Sequence, residues 1–248
     1  MTEVHADRRS LLVPTVFMLA MCAFLVGLGT WQLQRLKWKE GLIREVSERA
    51  TQAPVPAPPE SRWPGLTQDA IEYSHWQVSG TFDHAGEVQV FANLPDARGA
   101  ARGVGYWIVT PLVRADGSTI LINRGFVPES AKDPAGRPAG QVEGPVTLTG
   151  LARWTEDRNL FTPADNPATG NWFTRDIAAI AQAEHLTRVA PFIIDADASA
   201  PGGLPQGGET ILSFPNNHFQ YALTWFGLAI GLVGVYAAMV WRRLSGRG

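Results

Sequence analysis

Two stretches of this chain contain no Asp, Glu, Lys or Arg, one from Ser10 to Gln34 and one from Thr210 to Trp241. About 20 helical residues at 1.5 Å each cross the ~30 Å hydrocarbon layer of a bilayer. Both stretches reach that length, so we read a membrane protein with two transmembrane helices, over residues 11–33 and 216–241. Everything else follows from that constraint. The ends, 1–10 and 242–248, share one side of the membrane, and the intervening chain lies on the other. Pro14 falls in the first turn of the first helix, where a missing N–H costs little.

The first apolar run is too long for the core of a signal peptide and leads into a basic helix without a small-residue cleavage site. Cys22 is the sole cysteine, which excludes intramolecular disulfides and cysteine metal clusters. It reads as a small apolar helix residue rather than a lipidated or reactive thiol. A net charge of −2 leaves no basic face to neutralise phosphates, so nucleic acid is excluded as a partner. The residues just before the second helix carry no Lys or Arg, whereas Arg242 and Arg243 follow it, which places the termini in the cytoplasm. Glu3 and Asp7 in the short N-terminus argue against a mitochondrial transit peptide. The expected location is therefore a bacterial cytoplasmic (inner) membrane, with membrane lipid as a partner and the main domain in the periplasm.

Between the spans, Leu33, Leu36, Ile43 and Val46 recur near helical spacing, so the first helix should continue to about Ala50. Pro54–Pro59 then reads as a stiff linker, making residues 34–59 a helix extension and linker and 60–215 a domain. Alternation at Trp76, Val78, Gly80 and Phe82, at Val88 and Val90, and at Val146 and Leu148 predicts strands. Tyr106–Val113, Thr119–Phe126, Phe192–Asp195 and Thr210–Phe214 are further strand candidates, and one helix is expected around Thr174–His185. The fold class is thus α+β: a mainly antiparallel, β-rich domain, curling towards a partly closed barrel, flanked by N- and C-terminal membrane helices.

No hydrolase, phosphate-loop or zinc-protease motif is present. His75, His84 and His185 sit at predicted element ends, where a hydrogen-bonded structural role suffices. His218 differs, because it stands at the mouth of an apolar helix, where a titratable group is a functional candidate and neutral imidazole a common metal ligand. His218, Tyr221, Ala222 and Trp225 fall at i, i+3, i+4 and i+7 and share a helix face. Gly227 and Gly231 form a small-residue pair about half a turn away, matched by Ala20, Ala23, Gly27 and Thr30 in the first span. Packing small face to small face would turn His218 away from the helix pair, towards lipid, a cofactor or another membrane protein. The alternative is that His218 only hydrogen-bonds headgroups, water or a first-turn amide.

Several segments stand out in order along the chain. They are Gly29-Thr30-Trp31-Gln32-Leu33-Gln34-Arg35, Gly80-Thr81-Phe82, Thr110-Pro111-Leu112 and Asn123-Arg124-Gly125-Phe126-Val127-Pro128. Asn171-Trp172-Phe173 with Asp176, Asp195-Ala196-Asp197 and the closing Pro215–Gly227 stretch complete the set, in order and over nearly the whole chain. Together these segments resemble the Surfeit-locus family of cytochrome c oxidase assembly factors, with Phe126 and Phe219 standing where that family more often has Trp and Leu. The resemblance implies a non-enzymatic membrane factor that places haem a into the large subunit of cytochrome c oxidase, receiving it from haem a synthase. It implies His218 as the haem-iron ligand, with Tyr221 and Trp225 flanking the porphyrin. Because propionates need cations, Arg124 and Arg175 become candidate contacts for them. A haem-independent scaffold that stabilises an oxidase intermediate is the competing role.

Overall fold

The computed structural model describes residues 9–156, 158–210, 212 and 214–245. In chain order these form α1 (Arg9–Thr51), β1 (Val55–Pro56), α2 (Gln68–Ile71), β2 (His75–Phe82), β3 (Val88–Leu94), β4 (Gly103–Val113) and β5 (Thr119–Pro128). Then follow β6 (Pro145–Arg153), α3 (Ile177–Ala183), β7 (Val189–Ala196) and α4 (His218–Leu244). They divide into two compact units, one of residues 1–45 with 213–248 and one of 46–212.

The first unit is a pair of apolar helices, both long and apolar enough to cross a membrane. On α1 the more buried positions step by four and three, through Leu11, Thr15, Met18, Cys22, Leu25, Gly29 and Gln32. On α4 they step likewise through His218, Ala222, Trp225, Ala229, Leu232, Tyr236 and Met239. A repeat averaging 3.5 residues is the seam of an antiparallel knobs-into-holes pair. Gly29 belongs to this seam because a Cβ there would come within 2.7 Å of the Phe226 ring.

The expected packing face is therefore corrected. Ala20, Ala23, Gly27, Thr30, Gly227 and Gly231 are all exposed, and a Cβ at Gly27, Gly227 or Gly231 would meet nothing within 4 Å. Small residues permit close backbone approach but do not compel it. Here the seven-residue repeat forms the interface instead, with its own small residues Gly29, Ala222 and Ala229 set among larger ones such as Leu25 and Trp225.

The second unit is a mixed sheet, ordered β1-β2-β6-β7-β5-β4-β3, that closes on itself because β2 also pairs with β4. The circuit β2–β6–β7–β5–β4–β2 is a small barrel, antiparallel except for β5 against β7. Its closing contact aligns Thr81 with Val113, and Gly80 is required beside it, since a Cβ would stand 2.5 Å from Val113 O. Inside, Trp76 and Trp63 meet Phe192 edge to face at 4.8 and 6.1 Å, above Val78, Leu112, Ile120, Ile122 and Ile194. On the outer face, α3 buries Ile177 and Ile180 against Val90, Val109, Leu121, Trp172 and Ile193. Asp176 caps α3 by accepting from Ala179 N at 3.1 Å.

Most predicted elements coincide with observed ones, with two differences. Pro54–Pro59 is stitched to the barrel rather than standing off it, because β1 pairs with β2 and Ala57 N donates to Gln77 O at 2.9 Å. No described residue of Thr210–Phe214 is in a strand; Ile211 and Ser213 lie outside the described residues.

His75 opens β2 and bridges Gln52 O and Asp197 Oδ2, both at 2.7 Å. Burial acts to lower its pKa, but the two hydrogen bonds outweigh this and hold the imidazole above its ordinary 6.5. A raised folded-state pKa stabilises fully below the unfolded value and ceases to do so as pH climbs through the folded one. Wild-type thermal stability should therefore fall, relative to His75→Gln, as pH rises from about 6.5 through that folded value. Parallel melting-temperature profiles for the two proteins would show that the contact carries no pH-dependent stability.

Candidate functional site

His218 is the first residue of α4, preceded by Asn216 and Asn217. Asn217 N-caps the helix without a side-chain hydrogen bond, and Tyr221 N donates to its carbonyl at 3.1 Å. His218 lies on the seam facing α1, not away from it as the small-residue stripes suggested. Its Nδ1 is 2.7 Å from Gln32 Oε1. An amide oxygen only accepts, so Nδ1 must carry the proton. The neutral ring is then the tautomer whose Nε2 lone pair stands outside this bond. Trp225, two seam steps on, is half-buried, while Tyr221 stands on the exposed flank of the same helix. The buried Asn216 Oδ1 has no hydrogen-bond partner, an unsatisfied acceptor two residues before the imidazole.

A second polar link joins the same two helices. Thr15 donates to Leu11 O at 2.6 Å, so its hydroxyl oxygen is left to accept from the Tyr236 hydroxyl. The two links are 17 residues apart on α1 (15 to 32) and 18 on α4 (218 to 236), about 26 Å at 1.5 Å per residue. That nearly matches the ~30 Å hydrocarbon layer that helices of this length could cross, and the seam between the two contacts is largely apolar.

Arg124 and Arg175 belong to the other unit, and both are engaged there. Arg175, 7% exposed, directs Nη1 to Asp195 Oδ1 at 2.7 Å and Nε to Glu156 Oε1 at 2.8 Å, with Nη2 also on Glu156. Burial acts to lower its pKa, yet Asp195 and Glu156 overcome that and raise it above the ordinary value. Asp195 also accepts from Asn123 Nδ2 at 2.9 Å and Thr210 Oγ1 at 3.0 Å, and Arg153 lies 3.4 Å from it. Arg124, 4% exposed, donates to Gly140 O and lies with its guanidinium carbon 4.7 Å over the Phe82 ring. Among the described residues no three His, Cys, Asp or Glu side chains gather as a metal cage.

Residues 19–230 match the family model described as the SURF1 family. The chain belongs to the SURF1 family. Its relatives include Surfeit locus protein 1 of Mus musculus, 41% identical over 224 residues, covering 86% of this chain and 71% of the relative. Surfeit locus protein 1 of Homo sapiens is 39% identical over 241 residues, covering 92% and 77%. A SURF1-like protein of Monosiga brevicollis is 35% identical over 215 residues, covering 82% and 78%. The SURF1-family match runs from within α1 to within α4, and so spans all seven strands of this chain and part of each apolar helix.

Two residues of this SURF1 chain escaped the sequence reading, Gln32 and Glu87. Gln32 was quoted only as part of a motif, although it falls on the seven-residue repeat with Leu25 and Gly29. Nothing in the sequence marks Glu87, which lies between Arg124 and Arg137 in the folded barrel.

Proposed function

We propose that this chain is a non-catalytic assembly factor for a haem-copper cytochrome c oxidase. On this reading it sits in a bacterial cytoplasmic membrane with its barrel in the periplasm. It takes haem a from haem a synthase, holds it through His218 and passes it to the large catalytic subunit. The observation that carries the reading is the His218–Gln32 pair. Histidines that ligate metals characteristically donate their other ring N–H to an acceptor, which fixes the tautomer and aims the free nitrogen. Among the described residues no protein cage forms, and a single imidazole suits an ion already held by a macrocycle; the Trp225 and Tyr221 rings on the same helix offer apolar contact. Haem a would supply the oxidase with its redox iron; this chain binds, orients and releases it. Arg175 is paired internally at every guanidinium nitrogen, so this reading rests on the helix residues rather than on Arg175.

The test is the optical spectrum of the protein purified from cells that make haem a. A Soret band of haem a character is expected. A haem-free protein would overturn the carrier and leave the scaffold role. Gln32 provides a graded check: Gln32→Leu should weaken haem binding about 10- to 100-fold while His218 remains, and Gln32→Glu should preserve it. Equal affinity in wild type and Gln32→Leu would remove Gln32 from the site.

A further inference from the structure

The barrel is not closed along its whole length. β6 pairs with β7 only over Gly150–Arg153, with one more bond from Asp197 N to Thr149 O at 3.0 Å. Beyond that bond the chain after β7 leaves the ladder, and a cleft of about 410 Å³ opens between β6 and residues 198–201. Val146, Leu148, Phe82, Ala198 and Pro201 give it mostly apolar walls, with Arg124 also lining it.

Arg124 reaches that position through a β-bulge. The β4–β5 register passes from Ile108 opposite Gly125 to Val109 opposite Asn123, which leaves Arg124 as the unpaired extra residue. A bulge re-aims the side chain it displaces. Gly125 completes it at φ +127°, a conformation open to glycine, and its N donates to Asn123 Oδ1 at 3.2 Å.

The charge on Arg124 is not fully answered. Glu87 lies 3.7 Å from its Nη1, but the same carboxylate is bound by both Nη1 and Nη2 of Arg137. Two guanidiniums thus share one carboxylate, an excess of one positive charge among buried groups. The Arg124 Nη1 atom is buried without a hydrogen-bond partner. Burial, only partly offset by Glu87, pulls this guanidinium down to about 10, still charged at neutral pH. Two more buried polar atoms without partners adjoin the same wall. One is His84 Nδ1, whose ring packs 5.8 Å from that of Phe82; the other is Gln141 Nε2, next to Val142 in the cleft lining. A buried cation with an unused N–H in an apolar cleft is expensive unless something anionic completes it.

We propose that this seam is a binding site for a small amphiphile, with its carboxylate on Arg124 and its apolar body between β6 and the 198–201 loop. The volume falls within the ~300–1,000 Å³ of small-molecule pockets. A free fatty acid and a porphyrin propionate share this chemistry. The site is independent of His218, so it stands or falls separately from the carrier role.

The full-length protein in lipid nanodiscs, with empty nanodiscs as the blank, would be titrated with cis-parinaric acid and with iron-free mesoporphyrin. The methyl ester of each serves as control. At least one acid should bind saturably, one per chain, and its ester at least tenfold more weakly. Arg124→Gln leaves the Glu87–Arg137 pair balanced, and should weaken the acid at least tenfold. Ala198→Trp fills an exposed part of the wall without touching Arg124, and should do the same in a protein of unchanged melting temperature. Binding of parinarate alone assigns a lipid-derived ligand, and binding of mesoporphyrin alone a porphyrin. Failure of both acids, or affinities that the esters or Ala198→Trp leave unchanged, would overturn the proposal.

Discussion

A His218→Ala protein purified from cells that make haem a should emerge folded and without the Soret band carried by wild type. The expected loss is complete, because among the described residues the helix pair holds no second imidazole: His75, His84 and His185 all belong to the barrel unit, and His5 lies outside the described residues. Folding should survive, since His218 is half-buried and its removal breaks a single side-chain bond, worth about 0.5–1.5 kcal/mol. The seam still holds through Ala222, Trp225, Ala229 and Tyr236. Retention of an undiminished band would assign the iron to another ligand and sink the role of His218. A variant that loses the band along with its helical circular dichroism would be uninformative, so the dichroism is recorded on the same sample.

The largest effect on stability should come from Asp195→Ala. Asp195 is 4% exposed and accepts from Arg175, Asn123 and Thr210, with Arg153 close by. Deleting one member of a buried ion pair strands its partner without compensation and costs about 3–5 kcal/mol. Arg175 would keep Glu156, a more exposed carboxylate, so the lower part of that range is expected. For a unit of this size the melting temperature should drop on the order of 10 °C. Asp195→Asn keeps an acceptor for Asn123 and Thr210 and should fall between wild type and Asp195→Ala. A loss below about 1 kcal/mol for Asp195→Ala, within the range of surface substitutions, would show that the cluster contributes specificity rather than stability.

The architecture was legible because it depends on patterns within single segments. Uncharged runs marked α1 and α4, and period-two alternation marked β2 and β3. What alternation cannot carry is pairing between distant segments. The parallel contact of Asn123 with Asp195 across β5 and β7, and the closure of β2 onto β4, unite residues far apart in sequence. The Pro54–Pro59 segment misled for the same reason: proline blocks helix and favours extended chain, but its docking on Gln77 is a tertiary fact.

The orientation of His218 shows a different failure. Two helical periodicities were present in α4, a pair of glycines four apart and the seven-residue repeat through His218, Ala222, Trp225 and Ala229. The repeat carries both polar links between the helices, His218 to Gln32 and Tyr236 to Thr15, and interhelical hydrogen bonds and close packing are what join apolar helices. Gln32 and His218 are separated by most of the chain, so no local rule joins them, although each lies on its own helix's repeat. The pairing of Arg124 and Arg175 with carboxylates was hidden similarly. An arginine's charge is visible in sequence, but its counter-ion is chosen by the fold.

The partner chosen for His218 has one further consequence. Gln32 carries no net charge, so it draws on the Nδ1 proton less strongly than an aspartate or glutamate would, and leaves the opposite nitrogen a weaker electron donor. Under the proposed role, a pocket offering two imidazoles, or one backed by a carboxylate, would lie downhill from this chain. Traffic would then run one way without an energy source, its direction set by a single neutral amide. Gln32→Glu would level that slope, making a protein that loads well and unloads slowly.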